Sequence, residues 1–316
     1  MIKIDLITGF LGAGKTTFLK KYASYLMSKG CKIGILENDF GAINIDMMLL
    51  QELLGEKCEL EMIAGGCDKE THRRRFRTKL ISMAMSGYDR VLIEPSGIYD
   101  VDEFFDTLYE EPLDRWYQAG SVIAVVDAGL EDELSEESEY LLASEAANAG
   151  CILLSKSQEV NEEQKARTIA HIEQSLQCVK CERNIRDIVL CKDWDKLTEE
   201  DFEHIASCSY VSSDYQKRQL DGESDFESLY FMNVSMTKEK LYACVKRMVQ
   251  DASCGNVFRV KGFLKNKEGE TKGLGWWELN ATKKELTLKE AAVGQEVLIV
   301  IGENLNSAAI ETYLKR

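Results

Sequence analysis

The stretch Met1-Ile2-Lys3-Ile4-Asp5-Leu6-Ile7-Thr8-Gly9-Phe10-Leu11-Gly12-Ala13-Gly14-Lys15-Thr16-Thr17 decides how the rest of the chain is read. An alternating apolar run leads without a break into Gly9 to Thr16, a complete Walker A pattern. A loop that wraps phosphate must turn successive backbone N–H groups inward. That asks for φ values that glycine tolerates, here at Gly9, Gly12 and Gly14. The loop then becomes a helix, whose N-terminus offers unpaired N–H groups and the positive end of its dipole. Lys15 is placed to reach the β- and γ-phosphates, and the Thr16 hydroxyl to ligate Mg²⁺. A strand before the glycines and a helix after them imply phosphate binding rather than a plain turn.

At 316 residues the chain has the length of about two domains. Its 45% of hydrophobic residues and only 2 prolines are the composition of folded, core-bearing domains. A formal net charge of −15 argues against a general nucleic-acid binder, because a phosphate backbone is held by basic surface. Proteins, metals and small molecules are the expected partners. The 10 cysteines fall at scattered spacings, no signal peptide precedes the first strand, and no apolar run is long enough to span a bilayer. The expectation is a cytoplasmic, reducing setting with no membrane partner.

Going outward from the opening stretch, strands are predicted over 2–7, 32–36, 89–93, 122–126 and 151–154. They alternate with helical patterns, the first carrying Phe18, Leu19, Tyr22, Tyr25 and Leu26 and closing at Gly30. This order predicts an α/β fold, doubly wound around a mainly parallel sheet. Ligands of such sheets sit beyond the carboxyl ends of the strands, where Lys15, Glu37, Asp39, Glu94 and Lys156 fall. Further on, the patterns predict a helix over 161–177, a last strand over 186–190 and a helix over 198–206 with Thr198 as N-cap. The polar run 212–228 reads as a linker. Strands over 229–234, 257–264, 275–279 and 296–301, with helices over 238–249 and 307–314, predict a smaller α+β C-terminal domain. Its sheet is expected to be mostly antiparallel with helices on one face. The division is then 1–211, 212–228 and 229–316.

The segments GFLGAGKTT, ENDFGAINID, LIEPSGI, SVIAVVDA, RVKGFL and LIVIG together resemble the CobW family of P-loop GTPases, relatives of the HypB and UreG metallochaperones. The resemblance runs over nearly the whole chain and implies a GTP-hydrolysing domain. In the family this domain hands a metal ion to a client metalloenzyme or assists cobalamin-dependent proteins. A C-terminal domain would engage partners. Carried over residue by residue, the nucleotide site comprises Gly9, Gly12, Ala13, Gly14, Lys15, Thr16, Thr17, Gly97, Ser155, Lys156 and Gln158, with GTP and Mg²⁺ as cofactors. A homodimer is compatible with this reading.

The carboxylates make chemical sense without the family. Mg²⁺ takes oxygen ligands in octahedral geometry and keeps several waters, so Thr16, phosphate oxygens and water held by Glu94 would complete its shell. Glu37 and Asp39, read as a loop after the second strand, would orient the attacking water or respond to the γ-phosphate. Asp127, at another strand end, fits the simpler role of fixing its own turn.

Two departures from the family pattern stand out. Where relatives carry Asn-Lys-x-Asp for guanine, this chain has Ser155-Lys156-Ser157-Gln158. A Gln amide offers an uncharged acceptor, which predicts guanine recognition weaker by roughly 1 to 3 kcal/mol, while Lys156 still lays its stem along the base. Where relatives place a Cys-x-Cys-Cys cluster after Gly-Gly, Gly65-Gly66-Cys67-Asp68-Lys69-Glu70 keeps one cysteine. Cys67, with Asp68, Glu70 and His72 nearby, is the candidate ligand for a transition metal, zinc or cobalt. Cys178 and Cys181 also have ligand spacing, without a second pair at zinc-finger distance.

The run His72-Arg73-Arg74-Arg75-Phe76-Arg77 is read as the start of a helix, either a solvated face or a patch for an acidic partner or a second subunit's phosphates. Alternation predicts one of Trp276 and Trp277 in the core and the other outside. Two other function classes fit the motifs. One is a nucleotide-switched partner-binding module without metal delivery. The other is a small-molecule kinase, which would need an acceptor pocket and an arginine-bearing lid.

Overall fold

A computed structural model describes residues 1–38, 49–63, 69–97, 99–216, 226–266 and 274–314. The chain falls into two compact units, Met1–Gln219 and Leu220–Arg316. In the first, β1 (Ile2–Thr8) leads through the glycine loop into α1 (Lys15–Ser28), followed by β2 (Ile33–Asn38) and β3 (Cys58–Ile63). Then come α2 (Lys69–Met83), β4 (Arg90–Pro95), α3 (Val101–Leu108), α4 (Leu113–Trp116), β5 (Tyr117–Asp127) and α5 (Glu136–Asn148). The unit continues with β6 (Cys151–Ser155), α6 (Glu162–Cys178), β7 (Val189–Leu190) and α7 (Glu199–Ser207).

The seven strands form one parallel sheet in the order β3-β2-β4-β1-β5-β6-β7. Both faces are covered, which is why the strands read as nearly continuous apolar runs. Phe18, Leu19 and Tyr22 of α1 pack on Ile7, Ile35 and Val125 on one face. On the other, Phe76 and Leu80 of α2 and Phe104 of α3 pack on Leu6, Leu36 and Ile93. Helix starts follow side-chain chemistry: Asn161 caps α6, and Thr198 forms a capping box with Asp201 at α7.

A buried carboxylate ties β1 into this sheet. Asp5, wholly buried, accepts from Tyr22 Oη at 2.8 Å and from the Ser121 N–H at 2.8 Å, and pairs with Arg90 Nε at 3.0 Å. Arg90 also donates to the Ala206 carbonyl at 2.7 Å. The β1–β5 register shifts between Ile4 and Leu6. Gly120 makes room there, since a Cβ on it would stand 2.2 Å from Asp5 Oδ1. Desolvation raises the Asp5 pKa despite the guanidinium.

The second unit pairs β8 (Phe226–Met232), β9 (Asn256–Lys265), β10 (Trp276–Ala281), β11 (Leu286–Ala291) and β12 (Val297–Glu303). They form an antiparallel sheet ordered β11-β10-β9-β12-β8. Helices α8 (Lys238–Met248) and α9 (Ser307–Leu314) bury Leu241, Val245 and Ile310 against Val260, Leu298 and Val300.

Several expectations are corrected. Strands β3 and β11 escaped the sequence reading, because Cys58–Ile63 and Leu286–Ala291 carry charged residues that break the apolar signal. The strand read over 186–190 is a 3₁₀ turn, Arg186–Ile188, followed by only two strand residues. Strand β8 begins at Phe226 rather than 229. Residues 213–216 of the polar run belong to the first unit, where Ser213 Oγ donates to the Ala147 carbonyl at 2.7 Å and the Gln216 N–H to the Val179 carbonyl at 2.7 Å. Trp276 and Trp277 are both half-buried, the second lying under the Lys238 ammonium at 3.8 Å. No helix among the described residues is long and apolar enough to cross a membrane.

Arg90→Met leaves the Asp5 carboxylate buried without its cation and is expected to lower unfolding free energy by about 3–5 kcal/mol. Adding Asp5→Asn should recover most of that loss. Denaturant titration of both variants measures it.

Candidate nucleotide site

The site starts where β1 ends. Gly9, Gly12 and Gly14 have φ of 147°, 80° and 101°. A Cβ on Gly9 would lie 2.2 Å from the Val125 carbonyl oxygen, so the loop leaves the sheet in contact with β5 and only glycine fits. Gly14 is the N-cap of α1 and contributes no side-chain cap, so backbone N–H groups define that end of the helix.

Lys15 is 6% exposed and donates from Nζ to the Gly9 carbonyl at 2.7 Å, folding the ammonium back across the loop. Thr16 Oγ1 donates to Glu94 Oε1 at 2.7 Å. Glu94 lies within β4, in register with Glu37 of β2, so the two carboxylates share one face of the sheet. Both are buried, at 4% and 3% exposure. Glu37 is thus a strand residue and not part of a loop; its predicted companion Asp39 lies outside the described residues. Gly97 packs on the glycine loop, where a Cβ would stand 2.7 Å from the Leu11 nitrogen.

Beyond β6, Lys156 adopts φ 53° and donates from Nζ to Asp127 Oδ2 at 3.0 Å. Asp127 Oδ1 accepts the Gly129 N–H at 2.8 Å, so this residue fixes its own turn and also anchors the lysine. Ser155 is buried and bonds back to the Val126 carbonyl, whereas Gln158 is exposed. Ala13, Gly14, Thr17, Ser155, Lys156 and Gln158 line one cavity.

The proposed transition-metal ligand Cys67, with Asp68, lies outside the described residues. Its neighbour His72 is 2% exposed on α2. The basic run is engaged within its own unit: Arg73 Nη2 stands 2.6 Å and Arg77 Nε 3.3 Å from Glu110 carboxylate oxygens, Arg74 pairs with Glu70, and Phe76 is core. Cys178 is exposed and Cys181 buried. Among the described residues no three His, Cys, Asp or Glu side chains group to hold a metal.

One buried group went unread in the sequence. Glu145 of α5, 1% exposed, accepts from Thr8 Oγ1 at 3.3 Å, directly behind the loop. Burial pushes its pKa up to about 8 against the opposing pull of the Lys15 ammonium, Thr8 and the Gly9 N–H. Nothing in a Ser-Glu-Ala-Ala helical segment marks it. Its place depends on how α5 packs.

The family profile described as CobW/HypB/UreG, nucleotide-binding domain, matches residues 3–185. The chain belongs to this family. Among curated relatives of this CobW/HypB/UreG member, zinc chaperone YjiA of Escherichia coli (strain K12) is 31% identical over 173 residues, 52% of this chain and 52% of the relative. Zinc chaperone YeiR of the same organism is 29% identical over 178 residues, 56% and 51% of the two chains. Zinc-regulated GTPase metalloprotein activator 1 of Schizosaccharomyces pombe is 24% identical over 169 residues, 51% and 40%. The chain spans about half the length, or less, of these curated relatives.

Because burial raises the Glu145 pKa, the native state keeps a proton that the unfolded chain has released. Stability should therefore fall as pH rises from the ordinary 4.5 through about 8. Asp100, also raised by burial, acts in the same direction. Glu145→Gln is expected to flatten part of that slope, as read by urea denaturation at pH values across the window.

Proposed function

We propose that this protein is a Mg²⁺-dependent GTPase that couples hydrolysis to delivery of a transition metal to a client protein. The observation that carries the reading is the 2.7 Å hydrogen bond from Thr16 Oγ1 to Glu94 Oε1. It brings the hydroxyl that follows the phosphate-loop lysine onto a buried strand-end carboxylate, two hard oxygen donors of the kind Mg²⁺ takes. Thr16 and Glu94 would hold the ion, directly or through water, and when bound it would neutralise phosphate charge. The chain's own groups supply the rest. Lys15 and the loop N–H groups stabilise charge on the phosphates, and Glu37, beside Glu94, orients the attacking water.

The names of the relatives, zinc chaperones and a zinc-regulated GTPase metalloprotein activator, support zinc as cargo. A site with one thiolate at Cys67 favours loose, exchangeable binding over a closed structural site. The second unit would meet the client.

Lys15→Ala should weaken triphosphate binding in calorimetric titration. Glu94→Gln should lower Mg²⁺-dependent release of inorganic phosphate from GTP roughly a hundredfold. Unchanged rates in a folded Glu94→Gln protein would reject the assignment, and a phosphorylated small-molecule product would favour the kinase class. Metal analysis after dialysis, with and without GTP, tests the cargo: Cys67→Ser should reduce bound zinc and leave phosphate release intact. Zinc that survives Cys67→Ser but vanishes in Cys178→Ser and Cys181→Ser would move the site to the second pair.

A further inference from the structure

A cavity of about 190 Å³ opens beside the phosphate loop. It is lined by Gly14 and Thr17, by Lys156 and Gln158 after β6, and by Asp193 and Trp194 after β7. Sites for drug-sized ligands run to roughly 300–1,000 Å³, so this one suits a single ring system. The Trp194 indole is pressed against the loop, its Cη2 3.2 Å from where a Gly14 Cβ would stand, and meets Phe18 edge-on at 5.6 Å. Its Nε1–H has no acceptor among the described residues. Lys156, its ammonium anchored on Asp127 at 3.0 Å, lines the same cavity. A flat ring and a lysine stem are suitable walls for a purine.

Which purine fits depends on the acceptor at its edge. Guanine donates from N1–H and from its 2-amino group, a pair matched by one carboxylate. Exposed Gln158 carries no charge. Asp193 is half-buried and caps the 3₁₀ turn Trp194–Lys196, its Oδ1 accepting the Asp195 N–H at 3.0 Å and its Oδ2 standing 3.3 Å from Lys196 Nζ. That N–H holds its carboxyl below the usual range, so it is ionised at neutral pH, and its oxygens retain further acceptor capacity. Asp195 also lines the cavity, but its side chain is 84% exposed and pairs with Lys21 at 2.7 Å.

We propose that Asp193 is the carboxylate that reads the guanine edge and Trp194 the ring against which the base lies. The chain then selects guanine nucleotides without an acidic residue two positions after Lys156, where Gln158 stands. This rests on the nucleotide-binding reading above and replaces the expectation that Gln158 sets a weak preference.

Calorimetric titration of the full chain with GDP, ADP and xanthosine diphosphate, each with Mg²⁺, tests it. Asp193→Asn keeps an oxygen for the Asp195 N–H but turns the other acceptor into a donor. GDP affinity should fall about 10- to 100-fold while ADP affinity stays unchanged. Xanthosine diphosphate, whose 2-oxo group accepts where guanine's amino group donates, should gain affinity, a change that mere loosening of the turn would not produce. Trp194→Leu should weaken GDP and ADP alike. A GDP-to-ADP ratio unchanged in Asp193→Asn, a ratio that moves with Gln158→Ala instead, or a native protein that binds both equally would overturn the inference while leaving phosphate binding standing. A folded native protein that binds none of the three would overturn the nucleotide reading as well.

Discussion

The first unit depends on one buried ion pair. Asp5 sits midway along β1, wholly enclosed, and Arg90 opens β4 beside it. Tyr22 from α1, the Ser121 N–H from β5 and the Ala206 carbonyl from α7 close the network, so one carboxylate gathers five elements. An ion pair of this kind contributes little net stability against an apolar replacement, but it tolerates few alternative arrangements. It holds β1 between β4 and β5 with the register shift that sends the following residues out as the glycine loop.

That placement explains why the chemistry collects at one edge. In a parallel sheet every strand delivers its last side chains to the same side, so Glu37, Glu94, Asp127 and Lys156 arrive from β2, β4, β5 and the end of β6 without a long connection. The local interactions are short and specific. Lys15 bridges back to Gly9, Thr16 meets Glu94, Lys156 meets Asp127. Glu145 adds a carboxyl behind the loop whose burial keeps it protonated to unusually high pH, which moderates the negative charge lying close to the glycine backbone.

The proposed chemistry divides the site into a phosphate end and a base end, held by different means. The phosphate end is backbone and strand-end geometry, tolerant of little substitution at Gly9. The base end is assembled from the segments after β6 and β7, and the second of these carries Asp193 and Trp194 on a single 3₁₀ turn. A loop can exchange residues without disturbing the sheet, so recognition of a base edge is free to move from one loop to a neighbouring one.

The doubly wound class, the glycine loop, α1 with its apolar face, α6, and α7 with Thr198 as cap were legible in the sequence, because each is written in local spacing or in a side chain's bond to its own backbone. The strand-end positions of Glu37, Glu94 and Lys156 followed from the same alternation. Strand β3 and strand β11 were not legible, since their stability comes from neighbours rather than from their own half-charged sequences. Nor were Glu145 and Trp194, whose partners stand 137 and 180 positions away in Thr8 and Gly14. Local chemistry determined which elements form and where the phosphate loop lies. Only tertiary packing decided which buried carboxyl backs that loop and which side chains line the cavity beside it, because burial and long-range contact have no signature in the spacing of residues along the chain.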